Sequence, residues 1–256
     1  MRFSILSFGM VLGVHLLASP VVVSADLATI QRRGYLIVAV KDNRRPLGFI
    51  DAEGNLTGFE IAIATRLAET LFGDATAIEL RPVANRDRLT AVLNDEVDLA
   101  IAGIAITPMR ERLVSFSLPY YLDGTAFITR DPAIQRLDDL SQEAIALLQG
   151  SEAIAHVQYT LPLATLRGVA SYEGAYAALE TGSAIAFAGD VTALVGWAQE
   201  DPAYRLLPDL LTAEPLAVTL PKGNQYNSLR QFVNTAINQW HTDGWLEDQA
   251  TQWGLP

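Results

Sequence analysis

Short apolar runs alternate along this chain with stretches whose apolar positions recur at helical spacing. Residues 35–40 read as a buried strand. Ile63, Leu67 and Leu71 fall on one face of a helix over 61–71. The pattern repeats as strand 78–83, helix 88–93, strand 97–102 and helix 108–114. A second set follows Thr129: strand 144–148, helix 152–159, strand 166–170, helix 173–179, strand 185–188 and helix 191–199. Strand 216–220 comes last, and Tyr226, Leu229, Val233, Ile237 and Trp240 mark a final amphipathic helix. Strands alternating with helices predict an α/β fold built on mostly parallel sheets. Two such sets without a long linker predict two lobes, joined by adjacent strands at 123–129 and 214–220, with the last helix returning to the first lobe. Ligands in such sheets sit beyond the carboxyl ends of the strands, which between two lobes means the cleft.

The chain has 256 residues, half of them hydrophobic, enough for one large domain or two lobes with cores of their own. Residues 1–25 stand apart. Arg2 precedes an apolar run over 5–18, and Val23-Ser24-Ala25 puts small residues at the usual cleavage positions. This reads as a secretory signal peptide cleaved after Ala25, hence a periplasmic protein with no membrane insertion once cleaved. An uncleaved anchor is the alternative, but the run is short for a span. The absence of cysteine excludes disulfides, thiol catalysis, Cys-ligated metal and lipid attachment through an N-terminal Cys. Without Arg2 the 18 basic residues become 17 against 29 acidic ones, a net charge of −12, which argues against nucleic acid or an anionic membrane as partner.

Candidate chemistry concentrates in 98–121, DLAIAGIAITPMRERLVSFSLPYY. An apolar strand ends at Gly103, and Thr107-Pro108 opens a helix with ordinary start signals. Arg110 falls in that helix's first turn, against the dipole. A fixed guanidinium beside free backbone N–H groups suits capture of a carboxylate; a surface Arg paired with a neighbouring Glu is the alternative. Ser151 after Gln149-Gly150 caps a helix, whose free N–H groups can also bind an anion. Catalytic constellations are thin: His156 and His241 sit on predicted helices without a metal-ligand pattern, and no Gly-x-Ser-x-Gly or phosphate loop occurs.

Residues 34–40, GYLIVAV, then 51–64, DAEGNLTGFEIAIA, and 98–121 appear in this order, followed by Gln149-Gly150-Ser151 and 181–190. Together they resemble the periplasmic amino-acid-binding proteins of ABC importers, the family-3 solute-binding proteins, across 26–254. The resemblance implies a type II periplasmic-binding-protein fold, with 26–124 and 215–256 forming one lobe and 125–214 the other. It implies a soluble monomeric receptor, without a cofactor, that closes over an amino acid and docks on an ABC permease. Arg110 would then hold the α-carboxylate and Asp190 the ammonium, although Asp190 could instead simply cap helix 191–199. Backbone groups of Gly103 and Ala105 would line the pocket with Ser151; relatives often carry Ser or Thr at the position of Ala105. Arg44 stands where relatives place an aromatic ring. Asn85-Arg86 resembles a pair found in glutamate and aspartate binders, and Lys41 would add a further cation. Lys41, Arg44, Arg86 and Arg110 in one cleft would favour an acidic side chain; alternatively Arg44 and Arg45 face water and Arg86 pairs with Asp42 or Asp87. The family fold also hosts cyclohexadienyl dehydratases and ligand-sensing receptor domains, which remain the alternatives to a non-enzymatic transport receptor.

Overall fold

The computed structural model describes residues 26–151 and 153–256. The expected signal peptide, residues 1–25, lies outside the described residues.

Two five-stranded sheets organise the chain. The first runs in the order Ile78–Pro82, Leu36–Val40, Leu99–Ile101, Glu214–Leu220, Ser115–Asp123. Leu36–Val40 is parallel to both neighbours and every residue in it is buried. Its side chains alternate between two cores, as the two-residue period of a strand requires. Leu36, Val38 and Val40 pack with Ile63 and Leu67 of the helix Phe59–Phe72 and with Leu229, Val233, Ile237 and Trp240 of the helix Asn227–Thr242. Ile37 and Ala39 face the other way, toward Ala91, Val92 and Val97. A strand covered on both faces has no polar side to show, which is why 35–40 reads as an unbroken apolar run.

The second sheet runs Thr165–Val169, Ala144–Leu148, Ala186–Asp190, Thr125–Thr129, Arg205–Leu206. Its first three strands are parallel and its last two pairings antiparallel. Both sheets are therefore mixed, because Glu214–Leu220 in the first and Thr125–Thr129 in the second run against the parallel units beside them. The chain passes between the sheets twice, at 123–125 and 212–214. The two passages touch: Glu214 pairs with Asp123, and the Thr125 N–H donates to Thr212 Oγ1 at 2.8 Å.

Local differences from the sequence reading have simple causes. Helix 108–114 is shorter, Pro108–Glu111, because the chain turns directly into the strand Ser115–Asp123. That strand carries Pro119 and irregular burial, so it lacks a clean alternation. A small three-stranded sheet, Asn43–Arg44, Gly48–Ile50 and Leu56–Thr57, has elements too short to show a period. Among the described residues no helix is long and apolar enough to cross a membrane.

Phe187, in the second sheet, is packed into the same large core as Leu36, Val38 and Val40. It is fully buried, stacks on Trp197 at 5.4 Å and meets Tyr172 edge-on at 5.8 Å. Truncation to Phe187→Ala should cost about 3–5 kcal/mol. Urea unfolding checks this: the midpoint should fall while the slope stays constant.

Candidate ligand-binding cleft

A cleft of about 560 Å³ opens between the two sheets. Asn43, Arg44, Arg45, Asn85 and Arg88 line it from the side of the first sheet. Tyr172, Glu173, Asp190, Trp197 and Glu200 line it from the other.

Arg44 bridges the two sides. It sits in a tight hairpin, Asn43 opposite Phe49 and Arg44 opposite Gly48. From there its Nη2 donates to Asp190 Oδ2 at 3.0 Å and to Thr192 Oγ1 at 3.0 Å, and lies 3.5 Å from Asp123 Oδ2. Burial alone would disfavour the charge, but Asp190, Asp123 and Glu60 outweigh it and hold the Arg44 pKa above its ordinary value. Thr192 is itself fixed, donating its hydroxyl to Asp123 Oδ2 at 2.7 Å and its N–H to Asp123 Oδ1 at 3.2 Å. Two glycines let the parts meet. Gly103, at φ +62°, lies where a Cβ would come within 2.6 Å of Arg44 Nη1. A Cβ on Gly196 would come within 2.5 Å of the Arg45 carbonyl oxygen, so the helix Val191–Glu200 can seat against the hairpin.

Beneath this bridge lies a buried acid. Glu60, in the first turn of Phe59–Phe72, is wholly inaccessible. Its Oε1 accepts from the Gly103 N–H at 2.6 Å and from Tyr120 Oη at 2.5 Å. Its Oε2 has no hydrogen-bond partner. Arg88 begins the helix Arg88–Leu93 and points back into the cleft, donating to the carbonyls of Asn85, Ala102 and Gly103 at 2.8–3.0 Å. Burial, then the like charges of Arg44 and Arg110, lower its pKa. Arg110 donates to the Ala105 carbonyl at 2.8 Å.

The expected site residues therefore separate. Arg44, Asn85 and Asp190 line the cleft together. Asp190 stands at the N-cap of Val191–Glu200, yet its side chain makes no capping bond and faces Arg44 instead. Arg110 is close enough to Arg88 to affect its charge but does not line the main cavity. The backbone of Gly103 is engaged on both sides, by Glu60 and Arg88. Ala105 bridges to Leu216 and supplies the carbonyl for Arg110. Ser151 Oγ accepts from the Ala153 N–H at 3.2 Å, the cap of its helix. Lys41 lies outside the cleft: only 2 % exposed, its Nζ donates to the Val83 carbonyl at 2.6 Å, and burial lowers its pKa. Arg86 also points away, its side chain 88 % exposed and 3.5 Å from Asp87. The reason is the 3₁₀ turn Asn85–Asp87, which turns Arg86 outward and brings Arg88 round to the cleft.

Matching this architecture, residues 36–256 fit the family model for bacterial extracellular solute-binding proteins, family 3. The chain belongs to that family. Its curated relatives include the glutamine-binding protein of Geobacillus stearothermophilus, 32% identical over 212 residues, covering 82% of this chain and 80% of the relative. The ABC transporter glutamine-binding protein GlnH of Bacillus subtilis is 26% identical over 230 residues, covering 89% and 84%. Among solved structures, an ancestral cationic amino acid solute-binding protein, AncCDT-1, superposes with a TM-score of 0.74 at 28% identity, covering 89% of this chain and 98% of its own. A further structure of AncCDT-1, described as a precursor of cyclohexadienyl dehydratase, gives 0.69 at 27%, with the same coverage. The mixed sheets and the interlobe cleft are thus those of a two-lobed, type II binding-protein fold.

Arg88, Tyr172 and Trp197 line the cleft and Glu60 lies beneath it, although nothing in the sequence marked them as cleft residues. Glu60 lies within 51–64, a segment that carries only the family resemblance. Burial raises the Glu60 pKa from 4.5, against the pull of Tyr120 and Arg44. The folded carboxyl then keeps its proton to a higher pH than the unfolded one. Its contribution to stability is present below the unfolded value and is lost as pH rises toward the folded one. Urea midpoints followed from about pH 4 to about pH 8 should therefore fall less steeply for Glu60→Gln than for wild type. Parallel curves would show that Glu60 titrates alike in both states.

Proposed function

We propose that this chain is an exported, monomeric receptor of an ABC importer that captures an amino acid with an acidic side chain. The observation that carries the reading is the pairing of Arg88 and Arg110. Both donate to backbone carbonyls, and among the described residues neither is ion-paired with a carboxylate. Arg88, with Arg44 and Arg110 both near it, leaves local positive charge that a bound carboxylate relieves. Arg110 would hold the α-carboxylate and Arg88 the side-chain carboxylate, while Asn85 and Tyr172 shape the walls. Lobe one would comprise 26–124 with 215–256, and lobe two 125–214. Closure would hinge at 123–125 and 212–214, where the two passages are paired. Relatives named for glutamine and glutamate binding, the latter including GluB of Corynebacterium efficiens, support a polar amino acid of this size.

The AncCDT-1 likeness makes a dehydratase the second reading. Its acid would have to be a cleft carboxylate, and Asp190 is already engaged by Arg44. Time-dependent loss of prephenate or arogenate on mixing with the protein would favour that reading.

Calorimetry against the common amino acids tests the receptor. Glutamate or aspartate should bind at least tenfold more tightly than glutamine, histidine or arginine; a preference for a cationic amino acid would contradict it. Arg88→Ala should weaken the acidic ligand by roughly 10–100-fold, the loss of one charged hydrogen-bonding partner. Arg86→Ala, which lies outside the cleft, should leave affinity within about twofold.

A further inference from the structure

The charges around the cleft are unevenly paired. Of the acids that line it, Asp190 is engaged by Arg44 at 3.0 Å, Glu200 lies 3.7 Å from Arg45 Nε, and Glu173 is exposed at the rim. The guanidiniums of Arg88 and Arg110, by contrast, meet carbonyl oxygens. At Asp190 the capacity for a cation is taken up internally, whereas among the described residues neither Arg88 nor Arg110 is ion-paired with a carboxylate.

The place beside Asp190 is a built cation site, and Arg44 fills it. Three acceptors surround its Nη2: Asp190 Oδ2, Thr192 Oγ1 and, slightly farther, Asp123 Oδ2. Asp123 is only 4 % exposed, and its two bonds from Thr192 fix the acceptor geometry. On the opposite side the guanidinium lies against Gly103, whose missing Cβ gives it room. An ammonium arriving at Asp190 would have to displace Arg44, leaving a largely buried guanidinium with fewer acceptors. Removing one partner from a buried charge pair is strongly unfavourable. A solute with carboxylates and no ammonium leaves the whole arrangement intact and still neutralises Arg88 and Arg110.

We infer that Arg44 is a specificity-determining residue that stands in for the solute's amino group. The receptor therefore does not require that group, and binds dicarboxylates and 2-oxo acids at least as tightly as amino acids of the same length. This rests on reading Arg88 and Arg110 as the carboxylate site. It separates the two ends of the solute: the carboxylates are recognised by guanidiniums that bond only carbonyl oxygens, and the ammonium site is already occupied by the protein itself.

Calorimetry with two matched pairs, succinate with L-aspartate and 2-oxoglutarate with L-glutamate, tests it on wild type, Arg44→Ala and Arg44→Lys. In the wild type the member without the amino group should bind at least as tightly. Arg44→Ala frees Asp190 and should shift the ratio tenfold or more toward the amino acid, whereas Arg44→Lys, which keeps a cation, should hold it near wild type. If Arg44→Ala does not fold, Arg44→Gln decides in its place. Tenfold tighter binding of the amino acid by wild type, or a ratio indifferent to loss of the Arg44 charge, overturns the inference while leaving the carboxylate-site reading standing. Binding of none of the four acids overturns both.

Discussion

One guanidinium joins the two halves of this protein. Arg44 leaves a short hairpin beside the first sheet and reaches Asp190 and Thr192, which lie at the end of a strand and the start of a helix belonging to the second. Much of the cleft's construction follows from housing that group. Gly103 gives it space, Gly196 lets the neighbouring helix approach the hairpin, and Thr192 locks Asp123 at the passage between the sheets. A charge this enclosed is retained only with several fixed acceptors, and the two nearest, Asp190 and Thr192, come from the far side of the cleft.

The same economy governs the floor. Glu60 is buried without exposure, yet it holds the Gly103 N–H and the Tyr120 hydroxyl and stands near Arg44 and Arg88. The turn at Gly103 is thereby tied to the helix Phe59–Phe72 on one side and to Arg88 on the other. Local backbone, buried acid and cleft cations form one connected network. In such a network the effects of single changes are not additive. Substitutions at Glu60 or Gly103 are therefore expected to alter binding through Arg44 and Arg88 without touching a solute.

Periodicity made the main helices and the parallel strands legible. Residues 35–40 and 144–148 must be apolar because both faces of those strands are covered, and Leu229, Val233, Ile237 and Trp240 must share a face to reach the first core. The hairpin carrying Arg44 was not legible as structure, since its strands span two or three residues. Within the cleft, residue type was readable but direction was not. Arg86 and Arg88 are alike in the sequence; a 3₁₀ turn sends one outward and the other in. Lys41 directly follows a fully buried strand and finds the Val83 carbonyl, a contact 42 residues away that no local pattern announces. Asp190 was read as either a cap or a ligand partner, and its carboxylate meets an internal cation instead.

The direct measurement of the bridge is a double-mutant cycle on the ligand-free protein, with Arg44→Ala, Asp190→Ala and both together followed by urea unfolding. A coupling energy clearly above the roughly 0.5 kcal/mol limit of additivity is expected if the two side chains interact across the cleft. Strict additivity, with the double variant destabilised by the sum of the single ones, would contradict it.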